Sequence, residues 1–78
     1  MFYRVPLRHE KTGQRRDVIV RLTGFQQFDA ARQPRCMSCV VNAYAAGNAV
    51  RKSPEGFEYW GDGPIVALET IPHLRLVQ

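Results

Sequence analysis

Phe2-Tyr3-Arg4-Val5-Pro6-Leu7-Arg8-His9 and Arg15-Arg16-Asp17-Val18-Ile19-Val20-Arg21-Leu22 are the two stretches whose reading decides the fold. Both alternate, and successive side chains of a strand point to opposite faces. Tyr3, Val5, Leu7, Val18, Val20 and Leu22 then share one face. Arg4, Arg8, Arg15 and Arg21 share the other, with Asp17 and Ile19 between them. His9-Glu10-Lys11-Thr12-Gly13-Gln14 joins the two, and Gly13 stands where a short hairpin loop needs a left-handed backbone. A hairpin that is apolar on one face needs a second layer to cover it.

Beyond Leu22 the period changes. Thr23-Gly24 can open a helical segment over Phe25–Arg32, with Phe25 and Phe28 on one side facing the core. Pro34 suits the first turn of a second, main helix reaching Lys52. Cys36, Cys39/Val40, Ala43, Gly47 and Val50 recur at helical spacing as its sheet-facing stripe, with Val41, Tyr44 and Asn48 on the flank. Ser53-Pro54-Glu55-Gly56 ends that helix. Phe57–Trp60 and Ile65–Ile71 then read as a second hairpin around Gly61-Asp62-Gly63-Pro64, with Phe57 and Tyr59 pointing opposite to Glu58 and Trp60. Pro72 breaks the run and leaves 73–78 as an edge strand or a docked tail. The expectation is an α+β fold. An antiparallel sheet of two β-hairpins, in the order β-β-α-β-β, carries one main helix on one face, and residues 1–78 form a single compact domain.

Composition bounds the functional classes. A chain of 78 residues, 45% hydrophobic and 23% charged, can build one small core and has little room for a deep, enclosed active site. The net charge is +4 and the pI about 9.6, with nine arginines and two lysines, Lys11 and Lys52. That balance favours anionic partners. Arginine in particular suits planar, bidentate contact with phosphate or carboxylate. The opening residues lack the apolar stretch of a signal peptide, and no apolar run approaches the roughly 20 residues of a membrane span. A cytoplasmic protein with two reduced thiols is expected, without a membrane partner.

No catalytic signature stands out. Asp17, Asp29, Glu55, Glu58, Asp62 and Glu69 form no pair for acid–base work, and Ser38 and Ser53 lack the setting of an activated nucleophile. Cys36-Met37-Ser38-Cys39 is a CxxC at a predicted helix start beside Arg35, where helix amides and a cation would favour a thiolate. It does not follow a strand within a βαβ unit, and two small buried thiols on an apolar helix face account for it without chemistry. Cys36 and Cys39 are therefore expected to be structural. Cys36, Cys39, His9 and His73 together match zinc's ligand types, but nothing in their spacing makes them converge. No cofactor is expected. RNA-reading sheets stack bases on exposed aromatics, and the outward set of the first hairpin holds none except Phe2.

In size and architecture the chain is similar to the small accessory proteins of phages and mobile elements, anti-CRISPR proteins among them. That resemblance implies a non-enzymatic, stoichiometric inhibitor or adaptor of a larger nucleic-acid-handling protein assembly. Arg4, Arg8, Arg15 and Arg21 would pair with an acidic or nucleic-acid-binding surface of the partner protein, and Trp60 or Tyr44 would be the aromatic anchor. The alternative is a small basic module that holds nucleic acid directly through phosphate contacts. A CxxC redox or zinc protein is the third class.

Overall fold

The computed structural model describes residues 1–69, and in it the alternating stretches form the two longest strands, β1 (Phe2–His9) and β2 (Arg15–Arg21). Their register is antiparallel from Phe2↔Arg21 to Arg8↔Arg15. His9 N–H donates to Gln14 O at 2.8 Å, and Gly13 closes the turn at φ 73°. The face expected to be apolar is buried: Val5, Leu7, Val18, Val20 and Leu22 form the core with Ala45, Ala49 and Phe57, and Tyr3 packs against it.

Two helices follow, α1 (Gly24–Ala31) and α2 (Met37–Lys52). Thr23 caps α1 in a reciprocal box. Its Oγ1 accepts from Gln26 N–H at 3.1 Å, and Gln26 Oε1 accepts from Thr23 N–H at 2.9 Å. α2 begins later than expected, because Pro34 and Arg35 form a separate tight turn in which Cys36 N–H donates to Gln33 O at 3.0 Å. It ends where expected, with Ser53 extended and its hydroxyl donating to Ala49 O at 2.9 Å.

Both helix faces differ from the sequence expectation. Ala45 and Ala49 are fully buried against the sheet, with Val41, Tyr44 and Val50 packed beside them, whereas Cys36, Cys39 and Ala43 are exposed. An alanine-rich helix has too little contrast between its sides for spacing alone to pick the buried one. On α1, Phe25 and Phe28 do not face the core but stand 71% and 63% exposed. The buried side is Gln26 and Ala30, four residues apart, turned toward α2. Polar pairing selects it: Gln26 and Asn48 exchange amide hydrogen bonds at 3.2 and 2.9 Å, and Asn48 Nδ2 also donates to Arg21 O at 3.0 Å. One buried amide pair thus ties α1, α2 and the end of β2 together.

The last strands also depart from the expected hairpin. β3 (Phe57–Glu58) and β4 (Val66–Leu68) do not pair with each other; each pairs antiparallel with β1, β3 at Arg8–His9 and β4 at Phe2–Arg4. The sheet therefore has four strands with β1 in the centre, β2 along one side and β3 and β4 sharing the other. Pro6 supplies the reason for the gap between them. The pair His9↔Gln14 is hydrogen-bonded, so by alternation Pro6↔Asp17 is not, and the imide nitrogen of Pro6 points to the β3/β4 side. Having no N–H, it cannot support a partner strand there. The chain loops past this point through 59–65, with Gly63 lying against the Pro6 ring. The expected end of the last strand at Ile71, the break at Pro72 and the segment 73–78 lie outside the described residues.

Candidate functional site

α2 covers the inner face of the sheet, with α1 packed on α2, and the outer face carries the arginines. Cross-strand pairs Phe2↔Arg21, Arg4↔Ile19, Pro6↔Asp17 and Arg8↔Arg15 all lie on it, and so do Val66 and Leu68 by their pairing with Arg4 and Phe2. All four expected arginines thus share one surface, of which Arg4, Arg15 and Arg21 are exposed. The reading in sequence missed part of that surface. Half-buried Phe2, Pro6, Ile19, Val66 and Leu68 surround Arg4, whose cross-strand neighbours are Ile19 and Val66, and the acids Asp17 and Glu58 share the face beside Pro6 and Arg8. Phe2 and Ile19 read as outward and Pro6 shares their alternation, whereas Val66 and Leu68 join this face only through the pairing of β4 with β1.

Trp60 stands at the β3 end of the surface, 51% exposed. Its indole N–H donates to Arg8 O at 3.2 Å, and the Arg8 guanidinium lies 5.0 Å from the ring centroid. Arg8 is further held by Asp62, with Nε 3.1 Å from Oδ2. The Gly61-Asp62-Gly63 loop therefore fixes Trp60 and Arg8 as one unit, leaving the outer side of the indole open. Tyr44 is not part of this surface. It lies on α2, packed against the core, and its hydroxyl donates to Asp29 at 2.7 Å. That hydrogen bond, followed by desolvation and the Asp29 charge, raises the phenol above the ordinary tyrosine value.

A second cationic group gathers where β2 meets the end of α2. Arg21, Arg51 and Lys52 line a groove with Val20, Thr23 and Asn48. Lys52 Nζ donates to Ile19 O at 2.9 Å, and Arg51 donates to Asn48 Oδ1. Arg51-Lys52 is visible in sequence as a basic helix terminus, which the helix dipole favours. Its approach to Arg21, thirty positions earlier, is a product of packing.

The thiols differ from expectation. Cys36 and Cys39 are both free and exposed, Cys36 as the N-cap of α2 without a side-chain cap hydrogen bond. They fill no core space, so packing does not account for them. His9 is likewise engaged: its Nδ1 accepts from the N–H of Lys11 and Thr12 at 3.1 and 3.3 Å, and its ring meets Phe57 edge-on at 5.1 Å. Among the described residues no three His, Cys, Asp or Glu side chains are grouped to hold a metal ion, and His73 lies outside those residues. No helix of the described residues is long and apolar enough to cross a membrane.

Compared with protein-family models, with curated proteins and with solved structures, the chain gives no match to any of the three.

Proposed function

We propose that the protein is a non-enzymatic binder that seats the outer face of its sheet on a larger protein, as a stoichiometric inhibitor or adaptor. The observation that carries this reading is the composition of that face. Phe2, Pro6, Ile19, Val66 and Leu68 surround Arg4; Arg15 and Arg21 stand on the outer strand, and a braced, half-exposed Trp60 lies at the β3 end. Apolar residues gathered around an arginine, with a Trp beside them, match the prominence of Arg and aromatic residues at protein–protein interfaces. The cations of the face favour a partner surface that is acidic, including surfaces that imitate or handle nucleic acid.

The test is capture from nuclease-treated host lysate with the protein and its Arg4→Glu, Arg15→Glu variant. Both side chains point away from the core, so the variant should fold. Opposing like charges on the face should weaken partner retention by about 2–5 kcal/mol. Equal capture by both forms refutes the face. Convergence of Arg21, Arg51 and Lys52 favours a second reading, direct phosphate binding. That reading requires tight binding of free DNA or RNA with a steep salt dependence, driven by counterion release.

A further inference from the structure

We propose that the outer edge of β2, unpaired among the described residues, and the last turn of α2 form a groove that takes an extended acidic segment of a partner protein as an added strand. The proposal rests on the outer sheet face being the binding surface, which this groove adjoins.

The backbone of β2 supplies the first argument. His9↔Gln14 is a hydrogen-bonded pair, so the alternation leaves Arg4↔Ile19 and Phe2↔Arg21 as pairs without mutual hydrogen bonds. The N–H and C=O of Ile19 and Arg21 therefore point away from β1, along the outer edge of the sheet. The side-chain contacts agree: the Ile19 carbonyl is met by Lys52 and the Arg21 carbonyl by Asn48. Neither outward amide donates to any group among the described residues. The two amides and the Ile19 carbonyl, at two-residue spacing, match the repeat of an incoming strand, while the Arg21 carbonyl stays with Asn48.

Lys52 decides which strand can enter. A lysine on a strand edge discourages indiscriminate pairing, because its charge must be stripped of a partner or buried when another strand arrives. Here the ammonium sits on the Ile19 carbonyl that a new strand's N–H would need. An incoming carboxylate relieves that cost, since Lys52 can leave the carbonyl and pair with the acid. Arg21 and Arg51 reinforce the preference, and no acidic side chain lines the groove. Alternate residues of the strand would meet an adjoining hollow in which Phe2, Ile19 and Val20 offer apolar contact beside Arg21 and Lys52. The ligand chemistry is thus an extended peptide with acidic and apolar residues in alternation. The Ile19 carbonyl distinguishes it from nucleic acid, whose phosphodiester backbone has no N–H to offer that acceptor when Lys52 leaves it.

The test uses amide NMR of the isotope-labelled protein titrated with short capped peptides alternating aspartate with valine, or asparagine with valine, and with oligothymidylate. The aspartate peptide should shift the Ile19 and Arg21 amides, protect them from exchange and bind about tenfold tighter than the asparagine peptide. In Lys52→Ala that preference should fall by about threefold or more, because the unguarded edge also admits the neutral strand. The Arg15→Glu variant, changed at the end of β2 away from Ile19 and Arg21, should keep the peptide within about threefold. Loss of a captured partner by that variant with peptide binding intact shows that face and groove respond separately, so failure of one is told from failure of the other. Equal binding of the two peptides, unmoved Ile19 and Arg21 amides, or displacement of the peptide by equimolar oligothymidylate overturns the proposal.

Discussion

Gly56→Ala is the substitution through which the packing of the two halves of the chain can be measured. Gly56 lies at φ 99°, and a β-carbon there would stand 2.4 Å from His9 Nε2 and 2.9 Å from two ring carbons. The positive φ alone costs an alanine about 1–2 kcal/mol. The ring, moreover, is not a free side-chain end. It is pinned by the Lys11 and Thr12 amides and by edge-on contact with Phe57. Moving it forfeits the aromatic contact, about 0.5–1.5 kcal/mol, and two solvent-exposed hydrogen bonds, together about 1 kcal/mol. The reduced freedom of the unfolded alanine chain returns about 0.4–1 kcal/mol. The net loss is about 2–4 kcal/mol, large for a domain of this size. Gly61→Ala is the control, since Gly61 has φ 73° but open space around it, and it should lose only about 1 kcal/mol. Urea unfolding of both variants, and of Gly56→Ala in a His9→Ala background, separates strain from clash. In that background the Gly56→Ala penalty should fall to about 1 kcal/mol. The reasoning fails if Gly56→Ala and Gly61→Ala cost the same, or if removing His9 leaves the penalty unchanged.

Leu7→Ala, which empties a site only 2% exposed, should cost about 2–5 kcal/mol by urea unfolding, while Phe25→Ala and Phe28→Ala stay within about 0.5 kcal/mol. The opposite ranking would return the phenylalanines to the core. Both thiols of the native protein should react with a thiol reagent as fast as in urea, and Cys36→Ala, Cys39→Ala should shift Tm by no more than about 4 °C. Burial-limited labelling would contradict their exposure. Tyr44 should ionise above an ordinary tyrosine in an alkaline absorbance titration, and Asp29→Asn should bring it down. Because the folded value is the raised one, its contribution to stability is complete below the unfolded value and lost as pH climbs through the folded one.

The sequence by itself determined the first hairpin and nearly everything that depends on it. Period-two alternation in Phe2–His9 and Arg15–Leu22 fixes which residues share a face, since a one-residue slip would bury Arg4 and Arg8 and expose Val5 and Leu7. The burial of Val5, Leu7, Val18 and Val20 and the common face of the four arginines follow from that local rule. Thr23 as a cap and Pro54 as a stop are equally local, because each acts on backbone groups within a few residues. The tertiary structure alone decided the helix faces and the route of the last strands. α2 is alanine-rich on several sides, and the face that won was chosen by contact with the sheet and by the Gln26–Asn48 amide pair, twenty-two positions apart. The same pairing turned Phe25 and Phe28 to solvent. The turn signal at Gly61–Pro64 was real, but which strand β3 and β4 would join depended on Pro6, which interrupts one edge of β1 and leaves room at either end of it. The apolar residues gathered around Arg4 on the outer face and the meeting of Arg21, Arg51 and Lys52 at the β2 edge are likewise products of assembly. Alternation and capping are properties of neighbours along the chain; surface composition is a property of neighbours in space, and it is settled when the elements pack.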